Sequence, residues 1–280
     1  MSELLSLIRA GAKPVIGMVQ LDPLPGSSRY FGGHIGAILD AALQEARILT
    51  DHGVEMLMVQ NLGDLPVASR ATRAQVAWLT RVATDIRHSF GRPVGLNLLE
   101  NDAEAMFAAA SAAGADFVRI KVYVGAMVTP FGIERGEAFA AIHARNACDA
   151  NDIAIFADIH DRTGIPLASG GFVEDVQFAI RLGGADGLVL TGKSYQKTLE
   201  LIEDARKHIG HAPILIGGGV TAQNFGEAAR AADGVIVSSS LKDSNDAFGR
   251  LEPAKVATFM EEVRRARSQL GASAKTREVE

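Results

Sequence analysis

The chain has 280 residues, 48% of them hydrophobic and 22% charged, with a net charge of −5; this supplies a sizeable core and lacks the basic excess of a nucleic-acid-binding surface. A single cysteine, Cys148, excludes an intrachain disulfide and fits a reducing, cytoplasmic compartment. No apolar run approaches the ~20 residues of a membrane span, and the opening MSELLSLIRAGAKP lacks the apolar core of a signal peptide.

In chain order, eight short apolar runs alternate with segments of helical spacing. The odd runs follow a proline or an apolar–polar junction: PVIGMV from 14, PVGLNLL from 93, IAIFADIH from 153 and PILIGGG from 213. The even runs follow a Gly-Ala-Asp-like signal: GVEMLMVQN from 53, GADFVRIKV from 114, GADGLVLTG from 184 and ADGVIVSSS from 232. Between them lie amphipathic stretches such as IGAILDAALQEARILTDHG and EDVQFAIRLGG. Strands alternating with helices predict βαβ units and a parallel sheet. Eight units predict an α/β fold of one domain, a (β/α)₈ TIM barrel over residues 1–270. The absence of a Gly-x-Gly-x-x-Gly fingerprint speaks against a doubly wound sheet. The odd/even alternation implies a four-fold repeat of a two-unit module. The glycines before the even strands are expected as helix C-caps, and the acids beside them as stabilisers of the barrel's lower face. The closing GASAKTREVE, residues 271–280, is expected to be a disordered tail.

A TIM barrel carries its site at the carboxyl ends of its strands. Strand parity places Gln20 and Asp22 of the first strand, Asn97 of the third, and Arg119, Lys121 and Tyr123 of the fourth at the inner rim. It adds Asp158 and His160 of the fifth strand, and Thr191 and Lys193 of the sixth. The second strand ends in Gln60-Asn61, between which parity does not choose; Asn61 joins the binding set. Asp158, two residues before His160 on one face, suits a carboxylate that orients and charges an imidazole for acid–base chemistry. Arg119 and Lys121 would stabilise developing negative charge, and Lys193 would serve as a Schiff-base amine. The competing reading of Arg119 and Asp158, a buried structural ion pair, is equally supported.

Gly217, Gly218 and Gly219 end the seventh strand just before an expected helix, and Ser238, Ser239 and Ser240 end the eighth, followed by Lys242. Loops at these two strands build phosphate sites in many barrels, through backbone N–H groups and a short extra helix. A phosphate group is therefore expected there, with Lys242 as its cation. Two long loops, 21–33 and 125–137, are expected over the mouth as lids. No cofactor is evident; Asp158, His160 and Asp22 are the one set that a divalent metal could use, without a recognisable ligand spacing.

Together the stretches VIGMVQLDPLPGS, PVGLNLLEND, FVRIKVYVGAMVT, IFADIH, ADGLVLTGK and ADGVIVSSSLK resemble the BtpA/SgcQ family, over about residues 14–262. The resemblance implies a TIM barrel. The family takes its name from a role in photosystem I biogenesis, and other members are described as nucleosidases or sugar-catabolism proteins. Two positions depart from its pattern. Gln20 stands where a His often follows GMV, and Lys121 stands where an Asn is common. The expected function is an enzyme acting on a small phosphorylated sugar or nucleoside derivative, by N-glycosidic cleavage, isomerisation or aldol-type chemistry; a homo-oligomer is compatible with it. The alternative is a non-catalytic assembly or stability factor for a membrane protein complex, which would carry an exposed apolar or basic patch.

Overall fold

The computed structural model describes residues 1–277, with side chains described through Leu270. Helix α1 (Glu3–Arg9) precedes three strand–helix units and a fourth strand: β1 (Val15–Gln20), α2 (Ile35–Asp51), β2 (Met56–Gln60), α3 (Arg73–Phe90), β3 (Val94–Asn97), α4 (Ala103–Ala113) and β4 (Phe117–Ile120). A hairpin, β5 (Ala126–Thr129) and β6 (Gly132–Arg135), then leads to α5 (Ala138–Ala147). The second half runs β7 (Ala154–Asp158), β8 (Ile165–Pro166), α6 (Phe172–Arg181), β9 (Gly187–Leu190), α7 (Tyr195–Ile209), β10 (Ile214–Ile216), α8 (Phe225–Ala231), β11 (Gly234–Val237) and α9 (Pro253–Arg277). Eight strands close a parallel barrel in the order β1-β2-β3-β4-β7-β9-β10-β11, and β6-β5-β8 form a small antiparallel sheet. All eight expected barrel strands are present. Helix α9 extends into the segment expected to fray, and 278–280 lie outside the described residues.

The helices form where sequence signals start and stop them. Thr72 and Gln75 make a reciprocal capping box at the head of α3, and Gly91 ends it in the left-handed region. Gly114, before the fourth barrel strand, closes α4 at φ 63°, as its position predicts.

The apolar residues divide into two shells. Alternate strand residues, among them Val118, Ile120, Ile155 and Ala157, pack against the helices. Their neighbours Phe117, Ala154, Phe156 and Val189 fill the barrel interior. Phe117 and Phe156 meet edge to face, ring centroids 6.0 Å apart. Each ring faces a glycine on the adjoining strand, Gly95 opposite Phe117 and Gly187 opposite Phe156. A Cβ on Gly95 would stand 2.1 Å from the Phe117 ring, so the small residues make room for the large ones.

Acidic residues at the N-terminal edge join consecutive odd and even strands. Glu55 accepts the Val15 N–H at 3.0 Å, Asp186 the Ile155 N–H at 2.8 Å, and Asp233 the Ile214 N–H at 2.9 Å. Each also pairs with an arginine of a helix: Arg145 of α5 and Arg206 of α7, which precede their odd strands, and Arg267 of the C-terminal α9, which packs back beside β1. The fourth acid, Asp116, departs from the pattern. It accepts bonds from the Ser2 hydroxyl at 2.7 Å and from the N–H groups of Glu3 and Leu4 at 2.6 and 3.0 Å. It thereby anchors α1, whose Leu4 seals the bottom of the inner core.

Asp233→Ala removes the partner of one backbone N–H and one guanidinium at once. The expected loss is about 1–3 kcal/mol of unfolding free energy, measured by urea denaturation, with an unchanged m-value.

Candidate active site

A cavity of about 420 Å³ opens at the carboxyl ends of the barrel strands. Its first wall is uncharged. Register sets Gln20 beside Gln60 and Gln60 beside Asn97. Asn97 Nδ2 donates to the Arg119 carbonyl at 2.8 Å, which orients that amide. Gln60 Nε2 then donates to Asn97 Oδ1, leaving the Gln60 oxygen as the free acceptor of the pair.

The second wall is charged. Arg119 holds Asp158 bidentately, Nε to Oδ2 and Nη2 to Oδ1 both at 2.7 Å. The Asp158 side chain is 1% exposed and that of Arg119 12%. Burial pushes the Asp158 carboxyl up to about 6, even with the Arg119 guanidinium pulling the other way. Burial likewise opposes the Arg119 charge, but Asp158 outweighs it and holds the guanidinium above its ordinary value. Above this pair, Lys121 Nζ lies 3.8 Å from Asp161 Oδ1.

The third wall is built from Thr191, Gly217–Gly219 and Ser238–Ser240. A Cβ on Gly217 would stand 2.1 Å from Thr191 Oγ1 and 3.3 Å from Arg119 Nη2, so only glycine leaves the throat of the cavity open. Gly219 turns the chain at φ 80°. Three buried polar atoms on these walls have no partner among the described residues: Gln20 Oε1, Thr191 Oγ1 and Ser238 Oγ. Buried polar atoms left unpaired are costly, and cavities lined by them are matched to polar ligands.

Several expected residues lie elsewhere. β7 ends at Asp158, and His160 takes φ 53°, which breaks the strand alternation. Its Nε2 lies 2.7 Å from Asp175 Oδ2 on α6, so Asp158 does not orient it and it does not line the cavity. β4 ends at Ile120 in the same way; Tyr123 turns outward and its hydroxyl donates to the Gly183 carbonyl. Lys193 follows the end of β9 at Leu190 and is exposed away from the cavity, which removes the ground for a Schiff-base role. Lys242 is 1% exposed, with Nζ 3.6 Å from Glu45 Oε1. Burial drives the Lys242 amine down and the Glu45 carboxyl up, and neither faces the cavity. Asp22 pairs with Arg250 at 2.9 Å. Asp158, His160 and Asp22 thus have three separate partners and do not converge on a metal. Among the described residues no group of three or more His, Cys, Asp or Glu is arranged to hold one.

Asn61 is buried behind the wall, not in it. Its Nδ2 donates to Asp64 and Glu100, both at 2.8 Å, and its Oδ1 accepts the Leu99 N–H at 2.9 Å. Gln75 donates to the same two carboxylates at 2.9 and 2.7 Å. Burial raises the Glu100 carboxyl above its usual range. This network ties together the loops that follow β2 and β3. The helix expected after Gly219 begins only at Phe225, so no helix N-terminus adjoins the glycines; a 3₁₀ turn, Ser239–Leu241, adjoins the serines instead. Of the two long loops, 125–137 forms the β5–β6 hairpin and sets Phe131 against the cavity, whereas no residue of 21–33 lines it. The sequence reading passed over Asp161, Arg162 and Thr163, which line the mouth just beyond β7. The acid–base–hydroxyl run Asp-Arg-Thr directly after a strand end was the available signal.

A closed parallel barrel with a polar cavity at the carboxyl ends of its strands defines a TIM-barrel protein. The chain belongs to the BtpA family, which it matches over residues 11–265. It is 36% identical over 251 residues to the Photosystem I biogenesis protein BtpA of Synechocystis sp., covering 89% of this chain and 87% of that protein. An uncharacterized protein of Thermococcus kodakarensis is 36% identical over 231 residues, covering 82% of this chain and 87% of the relative. Among solved structures, the aminoacrylate-bound tryptophan synthase of M. tuberculosis superposes with a TM-score of 0.60 at 16% identity, covering 94% of this chain and 100% of that one. Phosphoribosyl anthranilate isomerase from Thermococcus kodakaraensis gives 0.53 at 16%, covering 90% and 99%. At such identities the likeness is one of fold.

Asn61→Ala leaves Asp64 and Glu100 short of one donor each inside the protein. Thermal and urea unfolding should register a loss of about 1–3 kcal/mol.

Proposed function

We propose that this barrel is an enzyme acting on a small phosphorylated sugar or nucleoside derivative. The observation that carries the reading is the convergence of three unpartnered buried polar atoms, on Gln20, Thr191 and Ser238, around the Arg119–Asp158 pair. The phosphate would rest on the backbone of Gly218 and Gly219 and the hydroxyls of Ser239 and Ser240, the latter turning away from the Val220 carbonyl to which it donates at 2.8 Å. The carboxamides of Gln20, Gln60 and Asn97 would take the neutral part of the ligand. Asp158 would exchange a proton or face a developing cation, while Arg119 and Lys121 meet developing negative charge. N-glycosidic cleavage suits a carboxylate facing an oxocarbenium-like sugar; isomerisation and aldol-type cleavage use the same groups.

A thermal-shift screen of sugar phosphates and nucleotides should raise the melting temperature of the wild type, and turnover is then assayed on the compounds that do. Asp158→Asn should abolish turnover and also lower stability by about 3–5 kcal/mol, because Arg119 is left buried without its partner. The double variant Arg119→Met with Asp158→Leu should recover most of that stability and remain inactive. Retained turnover in the double variant would make the pair purely structural.

The pH dependence has a fixed sign. The fold raises the Asp158 value from 3.8 to about 6. The stability that its protonated form contributes is therefore full below 3.8 and lost as pH rises through about 6. If the ionised carboxylate accepts a proton, turnover should rise with pH about a midpoint near 6, read from a pH–rate profile.

One observation favours the second reading, an assembly factor. Val128 lies directly between Ile133 and Ile165 in the small sheet, and all three side chains are exposed. Leu167 and Phe139 are exposed in the same stretch of chain. This is the apolar patch such a role would need, and the Synechocystis relative is named for photosystem I biogenesis. Under that reading Val128→Asp with Ile165→Asp abolishes the cellular role, while Asp158→Asn spares it whenever the fold survives; the enzyme reading requires the reverse.

A further inference from the structure

The geometry points to Arg162 as the residue that recognises the phosphoryl group in this cavity and so selects phosphorylated over unphosphorylated ligands. The inference rests on the anion site proposed above and replaces its expected cation. Lys242 is 1% exposed, held against Glu45, and does not line the cavity. Of the three cations that line the cavity, Arg119 is locked to Asp158 by two bonds of 2.7 Å and Lys121 faces Asp161 at 3.8 Å. Arg162 has no hydrogen-bonding or ionic partner among the described residues.

Its position is specific. A Cβ built on Gly218 would stand 3.8 Å from both Arg162 Nη1 and Arg162 Nη2, and 3.8 Å from Thr191 Cγ2. The two terminal nitrogens are equidistant from that point, so both ends of the guanidinium fork reach the glycine turn. That edge matches two oxygens of a phosphoryl group, whereas an ammonium would meet them as a point charge. The space between fork and turn stays open because position 218 carries no side chain. Thr191, 3% exposed, turns its methyl to this space and its unpartnered hydroxyl to the neighbouring Gly217, 2.1 Å from where a Cβ there would stand.

The backbone that presents Arg162 is held on both sides. Before it, His160 is tied to Asp175 at 2.7 Å. Asp161 Oδ1 accepts the Thr163 N–H at 2.9 Å, and the Gly164 N–H returns to the Asp161 carbonyl at 3.1 Å. Only the side chain between these ties is free. A fixed base with a free, forked head lowers the ordering cost of capturing an oxyanion.

The test compares wild type, Arg162→Gln and Arg162→Lys by calorimetric titration. The probes are inorganic phosphate, a pentose 5-phosphate, a nucleoside monophosphate and the matching pentose and nucleoside without phosphate. Which phosphorylated probe binds best tells whether the phosphoryl group arrives alone, on a sugar or on a nucleotide. The expected result is binding of a phosphorylated probe that Arg162→Gln weakens about 10- to 100-fold, the range for losing one charged hydrogen-bonding partner. Arg162→Lys should fall between, and all three proteins should share one melting temperature because the side chain is exposed and unpaired. Equal binding of the phosphorylated probe by wild type and Arg162→Gln overturns the role of Arg162 and leaves the glycine–serine site standing. Equal weakening of the phosphorylated and unphosphorylated forms overturns it as well, since Arg162 would then only support the loop. Failure of the wild type to bind any phosphorylated probe refutes the anion site itself.

Discussion

The structure depends on a carboxylate that takes an N–H at the start of a neighbouring strand. A parallel barrel leaves such N–H groups unpaired at its lower edge, where no further residue continues the ladder. Glu55, Asp186 and Asp233 close three of these gaps, and each draws in an arginine from a surrounding helix. Each bond also fixes the stagger between an odd strand and the even strand after it. Side chains alternate along a strand, so a slip of one residue would send every rim residue to the helix side. The level at which Gln20 and Gln60 meet is thus decided at the opposite end of the barrel.

The same pair of residue types behaves differently at the two ends. Below, the acid is divided between a guanidinium and a backbone N–H, and its charge is consumed in holding the fold. Above, both oxygens of Asp158 face Arg119 alone, in a site open to a cavity. With no backbone donor to stabilise the anion, burial governs its protonation, and the carboxyl is displaced toward neutrality. Chemical availability here comes from what the backbone withholds.

The barrel was legible because its signals are local and repeated. A proline or a Gly-Ala-Asp run announces each strand, and the period-two pattern of Ile155, Ala157, Phe156 and Asp158 places each side chain correctly. Legibility failed where strands stop. Parity extends only as far as the ladder does, so His160, Tyr123 and Lys193, each a few residues past a strand end, were assigned faces that the turning chain does not keep. Lys242 misled for another reason. Its charge suggested an anion beside the serines, but the buried Glu45 comes from α2, some two hundred residues away in the chain, and nothing local announces it. Asn61 was misplaced by a parity that Gln60 resolves only once β1 and β3 flank it.

Asp116 gives up its place in the repeat to hold α1. The bond from Ser2 to Asp116 spans a separation of 114 residues. During synthesis the first helix therefore waits, unanchored, until the fourth barrel strand has emerged, nearly halfway through the chain. Closing so large a loop costs only a little more than closing a short one, so the delay is one of timing and not of equilibrium. The open end of a half-made barrel exposes Ile16 and Met56 to solvent, and Leu4 can cover them only after the strand beside its anchor is in place. The stopper is made first and fitted late, which makes the interval before residue 116 the period when the nascent barrel is most open to wrong partners.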